Sequence, residues 1–281
     1  MTRTAASLVP VAAALAALAS VSCGSLKPFR VVDRPEPSPA SLLDTHSRGL
    51  PDLPFGFARE DDYVVRVVAG SVTCSGTLID DDQVLTAHHC VSERDHNGDF
   101  VAQTVSPSKV QVELGGDYLP WGEVSVRAIV APPCGHAAGI GDIAVLVLSR
   151  KLIGVATITP RLDASADVGE AVEPVGFGRC ALSDDGVRRK ERIGGKVTDL
   201  LESRFRLTAA ICPGDSGGPA RSARGDVVGV ISRAVMDGSE HTTARAEFTR
   251  LDRWRSVFST AKLIAAGASP SELPPLAGCP R

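Results

Sequence analysis

The sequence predicts an all-β fold that ends in one helix. From Tyr63 onward the chain consists of short β-prone runs, and Gly, Pro, Asn and Asp between them give turn signals. The last run before Gly267 instead repeats its apolar residues at helical spacing. Short strands separated by turns are typical of a β-sandwich or a β-barrel, and periodicity alone does not separate the two.

The predicted strands form two sets along the chain, followed by the helix. The first set comprises Tyr63–Ala69, Ser75–Ile79, Gln83–Ala87, Val110–Leu114, Val124–Val130 and Ile143–Leu148. The second set comprises Ala171–Gly176, Gly194–Leu200, Arg204–Thr208, Val227–Ser232 and Ala246–Thr249. The helix is predicted from Leu251 to Ile264 and is expected to pack on the second set of strands. A membrane-binding role for this helix is the alternative.

Residues 1–23 are predicted to be a signal peptide. Arg3 supplies the positive charge, and the apolar stretch from Leu8 to Ala19 is too short to span a membrane comfortably. The segment Ala19–Gly24 (ASVSCG) resembles a bacterial lipobox, with a serine where an aliphatic residue is usual. Cys23 is therefore a lipidation candidate, and plain secretion with Cys23 removed is the alternative. Either outcome predicts a protein that is secreted or in the cell envelope (periplasm or outer membrane).

The rest of the chain divides into three parts. Residues 24–54 are rich in Pro, Ser and charged residues and indicate a linker or pro-segment, 55–265 form the folded domain, and 266–281 form a C-terminal tail. A formal net charge of −3 gives no reason to expect nucleic acid or an anionic membrane as partner. The basic run Arg188–Arg192 is interpreted as a solvated loop, with proteolytic cleavage there as the alternative.

Three segments carry the residue types of a nucleophilic hydrolase. Ser216 lies among glycines in Cys212–Pro219 (CPGDSGGP), where a substrate carbonyl could approach main-chain N–H groups closely. His89 stands near the end of Thr86–Cys90 (TAHHC), and Asp142 leads into an apolar run. The chain order His, Asp, Ser is that of the chymotrypsin-type triad, whereas the subtilisins and the α/β-hydrolases have other orders.

These motifs resemble those of the trypsin/chymotrypsin family of serine endopeptidases, from about Tyr63 to about Ile264. The resemblance implies two six-stranded antiparallel β-barrels of the chymotrypsin type, with the active site in the cleft between them. It makes 55–265 a trypsin-like serine protease domain. With the N-terminal segment, it suggests a bacterial form that is secreted or a lipoprotein.

The resemblance also implies a role for each matching residue. His89 would be the general base, Asp142 the carboxylate that orients its ring, and Ser216 the nucleophile. The N–H groups of Gly214 and Ser216 would form the oxyanion hole. Such a mechanism requires neither a metal nor an organic cofactor.

The other histidines are given local roles. From composition alone either His88 or His89 could be the base, and His89 is preferred because its position next to a cysteine matches the family. His88 is expected to pack or hydrogen-bond locally, and His96 and His136 are expected at the surface. A hydrated turn, rather than a calcium loop, is expected at the polar cluster of Asp95, Asn97 and Asp99, because the rest of a calcium loop is missing.

Part of the substrate preference follows from the resemblance. Ala210, six positions before Ser216, would form the floor of the pocket for the residue before the scissile bond, where trypsin-like members carry Asp. Ser232 resembles the serine that hydrogen-bonds the substrate backbone, and Ala234 and Ala246 would line the pocket walls. Cleavage is therefore expected after small or medium apolar residues and not after Arg or Lys.

Six cysteines remain when Cys23 is set apart, an even number suited to three bridges in an oxidising compartment. The resemblance implies a Cys74–Cys90 bridge that pins the histidine loop. Cys180–Cys212 and Cys134–Cys279 are assigned by elimination. This scheme is one of the 15 connectivities that six cysteines allow.

Asp215 resembles the buried aspartate that pairs with a newly cut N-terminal amine in activated members of the family. No Ile-Val-Gly-Gly sequence precedes the first strands, and cleavage of the Arg48–Gly49 bond would give an atypical N-terminus. An internal arginine could instead pair with Asp215, because a buried carboxylate requires some such partner, and activity would then need no processing. Both alternatives stay open at this point.

The function predicted from the sequence is a monomeric serine endopeptidase that acts on proteins or peptides through an acyl-enzyme. A catalytically inactive relative that uses the same fold for binding is the alternative, because the usual activation sequence is missing. An esterase is disfavoured, because Asp142 precedes Ser216 in the chain, whereas the triad of the α/β-hydrolases runs in the order Ser, Asp or Glu, His.

Overall fold

Six antiparallel strands in the first half of the structure close into a barrel. The structure is a computed structural model that describes residues 61–116, 119–136, 140–182, 186–276 and 279. The first eight strands are β1 (Val64–Ala69), β2 (Val72–Asp80), β3 (Gln83–Thr86), β4 (Ser92–Arg94), β5 (Phe100–Thr104), β6 (Val110–Leu114), β7 (Gly122–Val130) and β8 (Ala144–Leu148). The barrel follows the order β1-β2-β3-β8-β7-β6, and β4 pairs with β5 in a separate hairpin that the sequence did not predict.

Side-chain alternation explains which face of each strand is buried. In β7, Val124, Val126, Ala128 and Val130 are buried, while most of the residues between them are exposed. All of β8 is buried, because one of its faces lines the barrel and the C-terminal helix covers the other.

The second half forms another antiparallel sheet. Its strands are β9 (Ala171–Gly176), β10 (Lys190–Glu191), β11 (Gly195–Lys196), β12 (Asp199–Leu200), β13 (Arg204–Ala209), β14 (Pro219–Ser222), β15 (Val227–Ala234) and β16 (Ala244–Arg250). The order β9-β14-β15-β16-β13 is extended by β11 on β9 and by β12 on β13. The predicted strand Gly194–Leu200 is therefore interrupted. Its first part, β11, pairs with β9 at one edge of the sheet, and its last part, β12, pairs with β13 at the other edge. The predicted all-β fold of the chymotrypsin type is confirmed.

One α-helix, α1 (Arg255–Ala265), follows β16 in the described part of the chain. Its buried residues, Val257, Phe258, Ala261 and Ile264, join the core of the first barrel, and the helix contacts β7 and β8. The prediction that it packs on the second set of strands is therefore wrong. Apolar periodicity identifies the buried side of a helix but not the element that covers it. No helix in the described ranges is long and apolar enough to cross a membrane.

Three disulfides are present among the described residues: Cys74–Cys90, Cys180–Cys212 and Cys134–Cys279. These are the pairs assigned from the sequence. The last one fastens residue 279 to the segment that follows β7. The predicted signal peptide, the lipidation candidate Cys23 and the segment 24–54 with Arg48 lie outside the described residues.

Candidate active site

Strand pairing brings His89 and Asp142 to the same end of the first barrel. β3 and β8 are antiparallel neighbours, with Thr86 opposite Ala144. The chain leaves β3 into a short 3-10 turn that contains His89, and it enters β8 directly after Asp142 and Ile143. Two residues that are far apart in sequence therefore meet at one edge of the sheet.

The carboxylate of Asp142 holds His89 in one orientation. His89 Nδ1 lies 2.9 Å and 3.1 Å from the two carboxylate oxygens, and the His89 main-chain N–H donates to Oδ1 at 3.0 Å. Ser232 Oγ donates to Oδ2 at 2.5 Å. Nδ1 is therefore the protonated ring nitrogen, which leaves Nε2 free to accept a proton.

Asp142 is ionised despite its burial. Only 2% of the residue is exposed. Burial raises its pKa, but the charge and hydrogen bonds of His89 and the hydroxyl of Ser232 outweigh that effect and bring the pKa to about 2. The residue can therefore stabilise an imidazolium on His89 throughout the neutral pH range.

The loop that carries Ser216 is fastened to the first barrel by Ser75 of β2. The Ser75 main-chain N–H donates to Ser216 O at 2.8 Å, and Ser75 Oγ donates to Gly214 O at 2.7 Å. At Gly217, φ is +83°, and a Cβ there would collide with Thr86 Oγ1 and Ser75 O. Glycine is required at this position both by the backbone conformation and by the close approach of this loop to the first barrel.

Two N–H groups of this loop have no protein acceptor among the described residues. Within the described ranges, the Gly214 and Ser216 main-chain N–H groups donate to no protein atom, whereas those of Asp215 and Gly217 donate to main-chain carbonyls. Gly214 has a φ of +100°. Two unused donors on either side of Asp215 are an arrangement that can bind an oxyanion.

Ser216 itself is half-buried, and no hydrogen bond joins its Oγ to His89 in the described part of the chain. In enzymes without substrate the bond between nucleophile and base is often long and shortens only in the complex. The structure therefore brings the His89 and Ser216 loops together through main-chain contacts, with the ring of His89 already oriented.

Asp215 is enclosed next to Ser216 and pairs with Arg192. Its exposed fraction is 0%, and that of Arg192 is 4%. Arg192 Nε lies 2.9 Å from Oδ2, and Nη2 donates to Oδ1 at 3.1 Å. The main-chain N–H groups of Gly178 and Cys212 each donate to the carboxylate at 2.8 Å. Burial holds the pKa of Asp215 above its usual value, although Arg192 and these two amides act in the opposite direction.

The burial of Arg192 corrects the interpretation of the basic run as a solvated loop. In addition to Arg192, Arg189 pairs with Asp62 and Lys190 pairs with Glu240. A run of charged residues in a sequence does not show which arginine is exposed and which neutralises a buried carboxylate, because the carboxylate that pairs with the buried arginine is distant in the sequence.

The predicted pocket residues lie near one another at the ends of β13, β15 and β16. Ala234 and Ala246 are direct cross-strand partners, and Ala210 follows the last residue of β13. Ala210 and Ala246 are fully buried, and Ala234 is half-buried. Ser232 falls where the β15–β16 register shifts, and its hydroxyl is occupied by Asp142. Only its main chain therefore remains for a substrate.

The other histidines differ in their surroundings. His88 is fully buried, and neither ring nitrogen has a partner among the described residues. Burial lowers its pKa to about 4, against the opposing effect of Asp142. His136, which was expected at the surface, is half-buried, and its ring centroid lies 6.4 Å from that of His89 and 5.2 Å from that of Phe100. No motif in the sequence signalled this position.

The polar cluster before β5 forms a hydrogen-bonded turn. Asp95 Oδ1 accepts from the main-chain N–H groups of Asn97 and Asp99 at 2.8 Å and 3.0 Å. His96 is exposed. An aspartate that accepts from the following main-chain amides stabilises a tight turn.

Comparisons with known proteins give one consistent result. The family model described as trypsin matches residues 57–256. Trypsin delta of Drosophila erecta is 29% identical over 193 residues, which cover 58% of this chain and 69% of that protein. The solved structure of neuropsin, a serine protease expressed in the limbic system of mouse brain, matches with a TM-score of 0.56 and 19% identity, over 72% of this chain and 94% of that chain. A Glu endopeptidase structure matches with a TM-score of 0.57 and 17% identity, over 77% and 96%.

Proposed function

The chain belongs to the trypsin family, and from this premise we propose that it is an active serine endopeptidase with His89, Asp142 and Ser216 as its catalytic residues. The observation that carries the proposal is the buried, ionised Asp142 bound to Nδ1 of His89, because this contact leaves Nε2 as a base. The two unused N–H groups of Gly214 and Ser216 support it.

The proposed reaction has two halves. Ser216 Oγ attacks the peptide carbonyl while its proton passes to His89 Nε2, and the resulting oxyanion accepts hydrogen bonds from Gly214 N–H and Ser216 N–H. The C–N bond then breaks as His89 returns the proton to the leaving amine. Water attacks the acyl group, gives its proton to His89, and releases the acid as Ser216 regains its hydrogen.

The proposed substrates are proteins or peptides with a small or medium apolar residue before the scissile bond. Ala210 at the floor of the pocket offers no negative charge to a lysine or arginine side chain. Ala234 and Ala246 would keep the walls short. Residues 1–23 would direct the protein out of the cytoplasm as a secreted monomer, either free or with a lipid on Cys23.

A fluorophosphonate probe and peptide amides test this function together. The wild-type protein is expected to bind one probe molecule and to cleave an alanyl or valyl amide faster than an arginyl one, while Ser216→Ala binds no probe. Absence of labelling in both proteins would support the alternative, an inactive trypsin-family fold that acts by binding. Preferential cleavage of the arginyl amide would refute the pocket assignment but not the catalytic one.

A further inference from the structure

We propose that Arg192 is a positioning residue that keeps the Gly214 and Ser216 N–H groups in place, so that the site needs no proteolytic cut to become competent. The proposal rests on the function proposed above. Its basis is the position of Asp215, which lies in sequence directly between the two oxyanion donors. A main-chain rearrangement at Asp215 that follows loss of its partner would move both donors at once.

A fully buried carboxylate needs a partner that stays with it. Taking an ionised carboxylate out of water is costly unless a cation and hydrogen-bond donors replace the lost hydration. Arg192 is the only cationic side chain in contact with Asp215 in the described part of the chain, at 2.9 Å and 3.1 Å. The amides of Gly178 and Cys212 supply the remaining hydrogen bonds.

Arg192 is itself held by the second sheet. Its main-chain N–H donates to Pro174 O at 2.8 Å, directly after the two residues of β10 that pair with β9. Its Nη2 donates to Gly178 O at 2.5 Å, and its Nη1 lies 3.7 Å from Glu240. The guanidinium is thus held on both sides, and it can in turn hold the carboxylate of Asp215 in one position.

The space around Asp215 argues against a second cation at the same carboxylate. A Cβ at Gly176 would lie 2.5 Å from Oδ1, and a Cβ at Gly178 would lie 2.6 Å from the carboxylate carbon. Main chain therefore closes two sides of the group, and Arg192 occupies a third. A newly formed terminal amine could reach Asp215 only if Arg192 withdrew.

Processing can be tested on the full chain without a substitution in the catalytic machinery. The intact mass of the fluorophosphonate-labelled protein gives the N-terminus of the active species, and Arg48→Gln blocks cleavage at the one bond singled out in the sequence. We expect label on protein that retains the segment between residue 24 and residue 60, with the same labelling rate in Arg48→Gln. Label confined to species that begin between residues 49 and 62 would overturn the inference and leave the proposed function intact. A wild-type protein that takes no label, cut or uncut, would contradict both.

Substitution of Arg192 tests the positioning role directly. Arg192→Met keeps the length of the side chain and leaves the carboxylate without its cation, so kcat is expected to fall about 100-fold, the effect of losing one oxyanion donor, with KM changed less than fivefold. Adding Asp215→Asn to Arg192→Met removes the uncompensated charge and is expected to restore kcat at least tenfold relative to the single variant. A role in folding alone would instead lower the fraction of protein that the probe can label, without changing kcat when kcat is calculated per active site counted by the probe.

Two results would overturn the positioning role: full kcat per active site in Arg192→Met, or a double variant that is no better than the single one. If Arg192→Met does not fold, Arg192→Lys serves as the second variant, because it keeps a charge but loses the forked geometry. It is expected to fold with a reduced kcat. Unchanged kcat in Arg192→Lys together with labelling only after a cut would likewise overturn the inference.

Discussion

At the scale of single residues, Asp142 lies in a closely defined environment. It accepts from the ring and main chain of His89 and from Ser232 Oγ, and Thr249 Oγ1 donates to its main-chain carbonyl at 3.0 Å. Three donors thus hold the carboxylate, and the fourth holds the main chain that carries it. A substitution that preserves its shape but not its charge therefore separates electrostatics from packing.

The variant Asp142→Asn makes that separation. An amide nitrogen facing Nδ1 favours the wrong tautomer of His89, so kcat is expected to fall about 10⁴-fold near neutral pH. KM should change little, because Asp142 touches no substrate. Ser232→Ala is the matched control: it removes one hydrogen bond to Asp142 but leaves the charge, and it should cost less than about tenfold. A fall in Asp142→Asn no larger than in the control would contradict the role of the charge.

At the scale of elements, sequence patterns identified most segments but not their partners. The run Val124–Val130 lies in a strand, β7, as predicted, whereas the periodicity of α1 could not reveal that it covers the first barrel. The run 194–200 was predicted as one strand, and the structure divides it between two neighbours. Pairing depends on the distant chain that arrives at an edge, which local periodicity does not contain.

The disulfides provide a prediction at this scale. In the chain-entropy model, Cys134–Cys279, with a sequence separation of 145, contributes about 5 kcal/mol to the free energy of unfolding. Cys74–Cys90, with a separation of 16, contributes about 3 kcal/mol. Replacing both cysteines of a pair by alanine and measuring urea unfolding should therefore show the larger loss for Cys134–Cys279.

Activity should follow the opposite order. Cys90 adjoins His89, and Cys74 precedes Ser75, which fastens the Ser216 loop, so loss of this bridge should lower kcat more than loss of Cys134–Cys279. Both double variants serve as controls for each other, since each removes two cysteines and one bridge. Equal effects on stability and on kcat would show that neither location nor loop length matters.

At the scale of the whole molecule, the parts of the site that could be predicted are those in short motifs. His89, Asp142 and Ser216 each lie in a short motif of the sequence, and in the structure His89 contacts Asp142 while Ser75 of β2 fastens the Ser216 loop. Arg192, interpreted from the sequence as part of a solvated loop, is buried, and His136, expected at the surface, is half-buried, because only the fold determines which side chains share a buried volume. The sequence raised an internal arginine as the partner of Asp215 but could not say which one.

His88 makes the stability of the whole molecule depend on pH. Its pKa is about 4 in the folded protein and about 6.5 in the unfolded chain. Between these two values the unfolded chain binds a proton that the folded protein does not bind, so the free energy of unfolding falls as the pH drops from 6.5 to 4. The full effect is about 3 kcal/mol. Asp142 contributes at a lower pH, because its stabilisation is lost only as the pH falls from 3.8 towards 2.

Urea unfolding of the wild type and of His88→Leu between pH 7 and pH 4 measures this contribution. Leucine has a similar volume and no proton to bind, so the variant should lose most of the decline that the wild type shows over this range. His136 and Asp215 are present in both proteins, and the difference between the two curves therefore isolates His88. Parallel curves would contradict the neutral, buried state of this ring. Activity at pH 7 should be retained in His88→Leu and lost in His89→Leu, because only His89 contacts Asp142.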